Sequence, residues 1–283
     1  MNIIKSVREM QVFSETCRKQ GRTIAFVPTM GYLHQGHAHL MQEGRKLGDI
    51  LIVSIFVNPT QFGPGEDFEK YPRDWDRDAQ LCESAGVDVI FAPAAQEMYP
   101  GGYQTAITVS QISQNLCGVS RPTHFQGVAT VVAKLFNCTK PHVALFGEKD
   151  FQQLVVIKRM VEDLNMDIKI IGVPTVREQD GLAMSSRNTY LSADGQHSAL
   201  SLSQGLRRAR DLYQQGERRS RVLIETVREI IDQQQCAEID YIKVCDIETL
   251  QDIDVITGPA VMALAVKIGR ARLIDNIKLT ADS

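Results

Sequence analysis

Between residue 23 and about residue 175 the chain alternates short, apolar, β-rich runs with segments of helical length, and few folds accommodate that pattern. The runs are TIAFVP, DILIVSIFV, VDVIFAP, HVALFG and DIKIIGV, with helices expected between them at about 36 to 47, 74 to 86, 124 to 139 and 150 to 164. Strands that are apolar almost throughout have no polar face to turn to water, so both faces of their sheet must be covered. Helix-length connections make such strands parallel. Residues 1–175 are therefore expected to form an α/β domain, a Rossmann-like doubly wound parallel sheet. Ligands of such sheets lie beyond the carboxyl ends of the strands, so the loops there carry most of the functional weight.

The pattern changes after VPTVREQDGLAMSSRNTYLSADG. Residues 194 to 215 read as a helix that Gly216 can terminate, and SRVLIETVREIIDQQ sets Leu223, Ile224, Val227, Ile230 and Ile231 on one helical stripe. Strands are expected at 238 to 245, 260 to 267 and 271 to 278. Residues 176–283 thus read as a smaller C-terminal α+β domain, joined without a Gly/Ser linker.

A formal net charge of -3 over 283 residues gives no broad field that would draw nucleic acid or an anionic membrane, which leaves small molecules as the expected partners. The longest strongly apolar run, ILIVSIFV, is too short to span a bilayer, and MNIIKSVREMQVF lacks the apolar stretch of a signal peptide. A cytoplasmic location is expected. The six cysteines are dispersed without a C-x-x-C pair, as suits reduced packing residues rather than a disulfide framework or zinc ribbon.

Four stretches offer chemistry. In PTMGYLHQGHAHL an apolar run ends at Pro28, glycines stand at 31 and 36, and a helical pattern starts near Gly36. A strand, loop and helix N-terminus in that order attract phosphate through backbone N–H groups and the helix dipole, and His34 and His37 can add ring N–H donors. Zinc and plain packing are the competing readings. H-x-x-H-x-H has no accompanying carboxylate and H-E-x-x-H is absent, which argues against a resident metal. His39, further along the helix, reads as structural. In SIFVNPTQF, Asn58 and Gln61 follow a buried-looking strand, where amides either orient a small polar ligand or form a turn. In PHVALFGEKDFQQL, Gly147 allows close approach, Lys149 offers a charge for phosphate, Asp150 can cap a helix and Gln153 lies on the next turn; Glu148 and Lys149 also read as plain surface charges. In GLAMSSRN, Ser185, Ser186 and Arg187 match phosphate oxygens, or form a serine-rich turn; as a site, their place between the domains suggests a lid closing over nucleotide. The P-loop, G-x-S-x-G and G-x-G-x-x-G signatures are absent, which sets aside P-loop ATPases, serine hydrolases and dinucleotide dehydrogenases.

Together PTMGYLHQGH, SIFVNPTQF, SRPTHFQGV, LFGEKDFQQL, DGLAMSSRN and ARLIDN, in this order, closely resemble the pantoate-beta-alanine ligases over essentially the whole chain. H-x-G-H alone is shared with nucleotidylyltransferases and class I aminoacyl-tRNA synthetases, and MSSRN is similar to the mobile KMSKS loop of the latter. The resemblance implies a homodimeric, magnesium-dependent enzyme that joins (R)-pantoate to β-alanine through a pantoyl adenylate, releasing pyrophosphate and then AMP.

It also implies roles by position. Met30, Gly31, Tyr32, Leu33, His34, Gln35, Gly36 and His37 match the first ATP-binding segment, with His37 in the place to which the family assigns proton donation. Gly147, Glu148, Lys149 and Asp150 match the second, and Met184, Ser185, Ser186 and Arg187 the third, with Val176 near adenine. His34, His37, Lys149, Ser185, Ser186 and Arg187 are the expected catalytic groups. By the same resemblance, Gln61 and Gln153 are expected to hold pantoate, with Asn58 supporting that pocket and Gln61 also by β-alanine. Mg2+ comes with ATP rather than in a protein metal site. Three positions depart from the family pattern: Met184 where leucine is frequent, Thr123 where glycine is frequent, and Cys117 where glutamate is common. A carboxylate nucleophile needs no general base, so His34 and His37 are read chiefly as stabilisers of phosphate charge. Two alternatives stay open: another H-x-G-H nucleotidyl transferase that never uses an amine, and a catalytically idle nucleotide-binding protein.

Overall fold

A computed structural model describes residues 1–280, which run β1 (Asn2–Ile4), α1 (Val7–Lys19), β2 (Ile24–Thr29), α2 (Gln35–Leu47), β3 (Ile50–Ile55), α3 (Trp75–Ser84), β4 (Val89–Phe91), α4 (Ala95–Met98), α5 (Cys117–Ser120), α6 (His124–Thr139), β5 (Val143–Gly147), α7 (Phe151–Asp163), β6 (Lys169–Val173), α8 (Ala193–Gln214), α9 (Ser220–Asp232), β7 (Ala237–Asp246), β8 (Ala260–Ile268) and β9 (Ala271–Leu279). They form two compact units. The first comprises Met1–Ser113, Arg121–Glu148 and Gln153–Pro174; the second comprises Gln114–Ser120, Lys149–Gln152 and the chain from Thr175 onward.

The first unit holds a six-stranded sheet in the order β1-β4-β3-β2-β5-β6, with every pairing parallel. Its strands are apolar on both faces for the expected reason. Ile24, Phe26, Ile50, Ile52, Ala144 and Phe146 pack with Met10, Phe136 and Ile157 in one core, while Ala25, Val27, Leu51, Val53 and Leu145 pack with Met41 and Cys82 in the other. Alternate residues of each strand point to opposite faces, so one apolar run such as residues 50–53 feeds two cores. Each fully buried Ile, Leu or Phe contributes about 1.5–3 kcal/mol.

The sequence pattern did not announce β1 or α1. β1 has three residues and pairs only with β4, at the sheet edge. α1 buries Met10, Ser14 and Cys17, a stripe too weakly apolar to stand out.

The second unit holds the antiparallel sheet β7-β8-β9, with a bulge between Ile239 and Tyr241. α8 and α9 cover it, and Leu223, Val227 and Ile231 of the expected stripe are fully buried. Among the described residues no helix is long and apolar enough to cross a membrane. No two cysteines are bonded; five are buried and Cys236 is exposed. Burial pushes the Cys82 and Cys245 thiols up to about 12 and Cys138 up to about 11, as befits packing residues.

Candidate active site

From β2 the chain builds outward through β3 and β4, then returns to the other side of β2 for β5 and β6. The topological switch point therefore falls between β2 and β5, the place at which open α/β sheets generally bind their ligands. Three of the sequence-predicted segments follow adjacent strands at that place: residues 30 to 37 after β2, Asn58 to Gln61 after β3, and the segment that starts at Gly147 at the end of β5.

The loop after β2 turns sharply. Gly31 has φ +82°, and a Cβ there would lie 2.9 Å from Asp78 Oδ2, so both conformation and space call for glycine. Tyr32 is also left-handed, at φ 51°. What holds this turn is Asp78 of α3, whose carboxylate accepts the Tyr32 N–H at 2.8 Å and the Leu33 N–H at 2.6 Å. Asp78 is buried, and burial raises its carboxyl above the ordinary aspartate range, with the Leu33 and Tyr32 amides acting in the opposite direction. Asp74 caps α3, whereas Asp78, one turn on, is buried.

His34 then caps α2. Its Nδ1 accepts the Gly36 N–H at 3.1 Å, while His37 Nδ1 accepts the His34 N–H at 3.2 Å. The pair forms a capping box made of imidazoles, with ring centroids 4.1 Å apart. The backbone amides of His34 and Gly36 are thus taken by ring nitrogens instead of being open to an anion. With Nδ1 accepting, each neutral ring carries its proton on Nε2, so each presents an N–H donor on the edge away from the helix backbone. His39, half-buried, lies further along α2.

After β3, Asn58 and Gln61 bracket a 3-10 turn and both are buried. Asn58 Oδ1 accepts from Tyr99 Oη at 2.7 Å and Thr60 Oγ1 at 3.0 Å; its Nδ2 donates to Gln61 Oε1 at 3.2 Å and to the Gly127 carbonyl at 3.1 Å. Asn58 is saturated, and one of its bonds orients Gln61. The Gln61 carbonyl is held by His124 Nδ1 at 2.9 Å and Arg121 Nη2 at 3.3 Å, and Gln61 Nε2 rests 2.8 Å from Met30 Sδ, a weak acceptor. Arg121 is itself fixed by Glu66 through two bonds of 2.6 and 2.7 Å. Arg121 and His124 of SRPTHFQGV, for which the sequence alone indicates no role, thus hold the backbone of Gln61. Gly147, at the end of β5, has no atom within 4 Å of where a side chain would start. Gln153 is half-buried on the first turn of α7.

Within the second unit, Val176 and Met184 are joined by a backbone bond of 3.0 Å, because residues 176 to 184 form a hairpin whose turn needs Gly181 at φ +98°. Ser185 caps the following 3-10 helix by accepting the Arg187 N–H at 3.2 Å. Lys149, Ser185, Asn188 and Asp275 line one small cavity, so Lys149 and the 184–188 segment meet. The Lys149 ammonium lies 3.8 Å from Asp150 Oδ2.

A sequence model of the family described as Pantoate-beta-alanine ligase matches residues 2–278. The chain belongs to the pantoate-beta-alanine ligase family. It is 60% identical to the pantothenate synthetase of Syntrophus aciditrophicus, over 98% of this chain and 96% of that one, and 58% identical to that of Geobacter sulfurreducens, over 99% of both. Among solved structures it is similar to the pantothenate synthetase of Thermus thermophilus, with a TM-score of 0.93 and 42% identity over 99% of this chain and 100% of that one. The Francisella tularensis pantoate-beta-alanine ligase, solved with beta-gamma ATP and beta-alanine, is 36% identical with a TM-score of 0.80, over 98% and 97% of the two chains.

Membership makes the chain an enzyme, a ligase of this family, and its departures from the family pattern sit without strain. Thr123 precedes α6 at φ -96° and ψ -7°, a conformation that does not require glycine. Cys117 places its sulfur 3.3 Å from Tyr241 Oη and 3.5 Å from Arg272 Nη1, with Arg272 also paired to Asp240. Met184 keeps apolar volume at the hairpin end.

Proposed function

We propose that the ligase condenses (R)-pantoate with β-alanine in two steps. A pantoate carboxylate oxygen attacks the α-phosphorus of ATP; the new O–P bond forms as the bond to the β-phosphate oxygen breaks, and pyrophosphate leaves. The β-alanine amine then attacks the acyl carbon, the acyl–oxygen bond breaks, AMP departs, and the amine nitrogen sheds a proton. Both steps are chiefly positioning and charge stabilisation.

The observation that carries this reading is the imidazole capping box. A histidine pair whose Nδ1 atoms are occupied by backbone N–H groups is a pair of Nε2–H donors, suited to phosphate oxygens and unsuited to accepting a proton there. His34 and His37 are thus proposed as stabilisers of charge on ATP, within an ATP-binding segment running from Met30 to His37. Gln61 is proposed to turn its Nε2–H from the weak thioether of Met30 to pantoate, and to lie by β-alanine, while Asn58 acts by orienting Gln61. Gln153 is proposed as the second pantoate amide. Gly147, Glu148, Lys149, Asp150, Val176 and Met184 to Arg187 are proposed to bind ATP, with Lys149, Ser185, Ser186 and Arg187 on its phosphates.

Mg2+ is proposed to arrive with ATP, where it would supply charge neutralisation to the phosphates. Imidazoles, hydroxyls, an ammonium and a guanidinium are by their chemistry donors for phosphate rather than ligands for magnesium. Among the described residues no group of three or more His, Cys, Asp or Glu is placed to hold a metal ion. The Francisella relative bound to beta-gamma ATP and beta-alanine supports both ligands. Family membership is also the ground for proposing a cytoplasmic homodimer, for which sedimentation at twice the chain mass is the check.

The deciding experiment is staged. Pantoate and MgATP alone should release pyrophosphate, and adding β-alanine should release AMP and pantothenate. Pyrophosphate release with no response to any amine would support the nucleotidyl transferase alternative, and ATP binding without turnover the idle one.

A further inference from the structure

The motif ARLIDN at residues 271 to 276 contributes none of the groups proposed to bind substrate. In the structure its last two residues are buried polar groups in β9, Asp275 at 3% exposure and Asn276 at 8%, beside a core of Leu264, Leu273 and Leu279. A buried ion pair and amide add little to stability compared with apolar residues of the same volume, so their contacts indicate their use.

Those contacts reach two phosphate-binding segments. The Asp275 carboxylate accepts two parallel bonds from Arg177, Nη1 to Oδ2 at 2.7 Å and Nη2 to Oδ1 at 2.9 Å. Arg177 Nη1 also donates to the Gly181 carbonyl at 3.2 Å, and so fixes the hairpin that runs from Val176 to Met184 and leads into Ser185. Asn276 Nδ2 donates to the backbone carbonyl of Lys149 at 2.9 Å, and the Asn276 N–H is held by Asp275 Oδ1 at 2.8 Å. Adjacent residues of one strand thus hold the hairpin on one side and Lys149 on the other, around the cavity that Lys149, Ser185, Asn188 and Asp275 line.

We infer that Asp275 and Asn276 are positioning residues for adenylate formation, a strut that sets the spacing between Lys149 and the Ser185–Arg187 segment. Asn276 acts through the Lys149 backbone, and Asp275 orients both Asn276 and Arg177. This rests on the assignment of Lys149 to the ATP phosphates. A fork of paired bonds on a sheet strand holds position far better than the flexible lysine stem, and displacement by about 1 Å of a group that positions phosphate costs roughly a hundredfold in rate.

The test is a double-mutant cycle read on steady-state pyrophosphate release with pantoate, MgATP and β-alanine. Asn276→Ala should lower kcat/KM for ATP by roughly tenfold to a hundredfold while the KM for β-alanine stays within about twofold. In the Lys149→Ala background the same change should have almost no further effect, because its route of action is already gone. Asn276→Ser, too short to reach the carbonyl, carries the test should Asn276→Ala lack a cooperative melting transition. Losses that multiply in the double variant, or a β-alanine KM that moves as much as that of ATP, would overturn the inference and leave Lys149's role intact. A fully active Lys149→Ala would instead remove the assignment on which the inference stands.

Discussion

His37 Nδ1 accepts the backbone N–H of His34 at 3.2 Å, so one side chain both closes the N-terminus of α2 and fixes which of its own nitrogens bears hydrogen. His34 repeats the arrangement on Gly36. Removing either ring should therefore act on stability and turnover separately. His34→Ala is expected to lower turnover by at least about a hundredfold, as for loss of a preorganised charge-stabilising donor. The lost cap should lower stability by only about 1 kcal/mol. Steady-state kinetics beside a thermal melt check both, and near-normal turnover in a well-folded variant would end the assignment.

The same geometry shows where sequence reading reaches and where it stops. The doubly wound sheet was legible because alternation of apolar strands with helical segments has few solutions, and the expected strands at 238 to 245, 260 to 267 and 271 to 278 lie within β7, β8 and β9. The loops after β2, β3 and β5 were legible because special residues cluster at strand ends. Asp78 was not, since its meaning depends on α3 packing beside the Gly31 turn, 47 residues away along the chain, and its acidic neighbours Asp74 and Asp76 masked it. The histidine cap was equally hidden: Ser, Thr, Asp and Asn are the usual cap residues, and histidine rings do not advertise an acceptor role.

Asp78 should be needed for the shape of the loop after β2, proposed above to bind ATP. Asp78→Asn puts an N–H₂ where the carboxylate now accepts two amides, leaving a buried N–H unpaired at a destabilisation of about 1–3 kcal/mol. The expected result is a raised KM for ATP together with a lower melting temperature, whereas the KM for β-alanine changes less. Unchanged ATP kinetics would show that the loop keeps its form without this carboxylate.

Gly127 allows α6 to lie directly on the turn that carries Gln61. A Cβ at 127 would fall 2.4 Å from the Thr60 carbonyl oxygen and 2.7 Å from Gln61 Cα, both backbone atoms that cannot step aside singly. Gly127→Ala should therefore destabilise the fold by about 1–3 kcal/mol and move Gln61. A larger rise in the KM for pantoate than for ATP is expected, and Gln153→Ala should give the same split without the loss of stability. Weakened use of ATP alone by either variant would contradict the pantoate assignment.

The Glu66–Arg121 pair should make this brace sensitive to pH. Burial works against the Glu66 carboxylate, but the Arg121 guanidinium, bonded through Nε and Nη2, outweighs it and lowers the pKa below its ordinary value of 4.5. A carboxyl group depressed in the folded state adds stability that is fully present above the unfolded value and is lost as pH falls through the folded one. Glu66→Gln lacks that contribution at every pH. The wild-type chain should thus be more stable than the variant by about 1 kcal/mol near neutrality, the scale of a partly exposed two-bond ion pair. The difference should shrink steadily below pH 4.5 as Glu66 takes up its proton. Melting curves of both chains from neutral to acid pH measure this directly; a gap that stays constant, or widens, on acidification would mean that Arg121 holds the Gln61 carbonyl without help from the Glu66 charge.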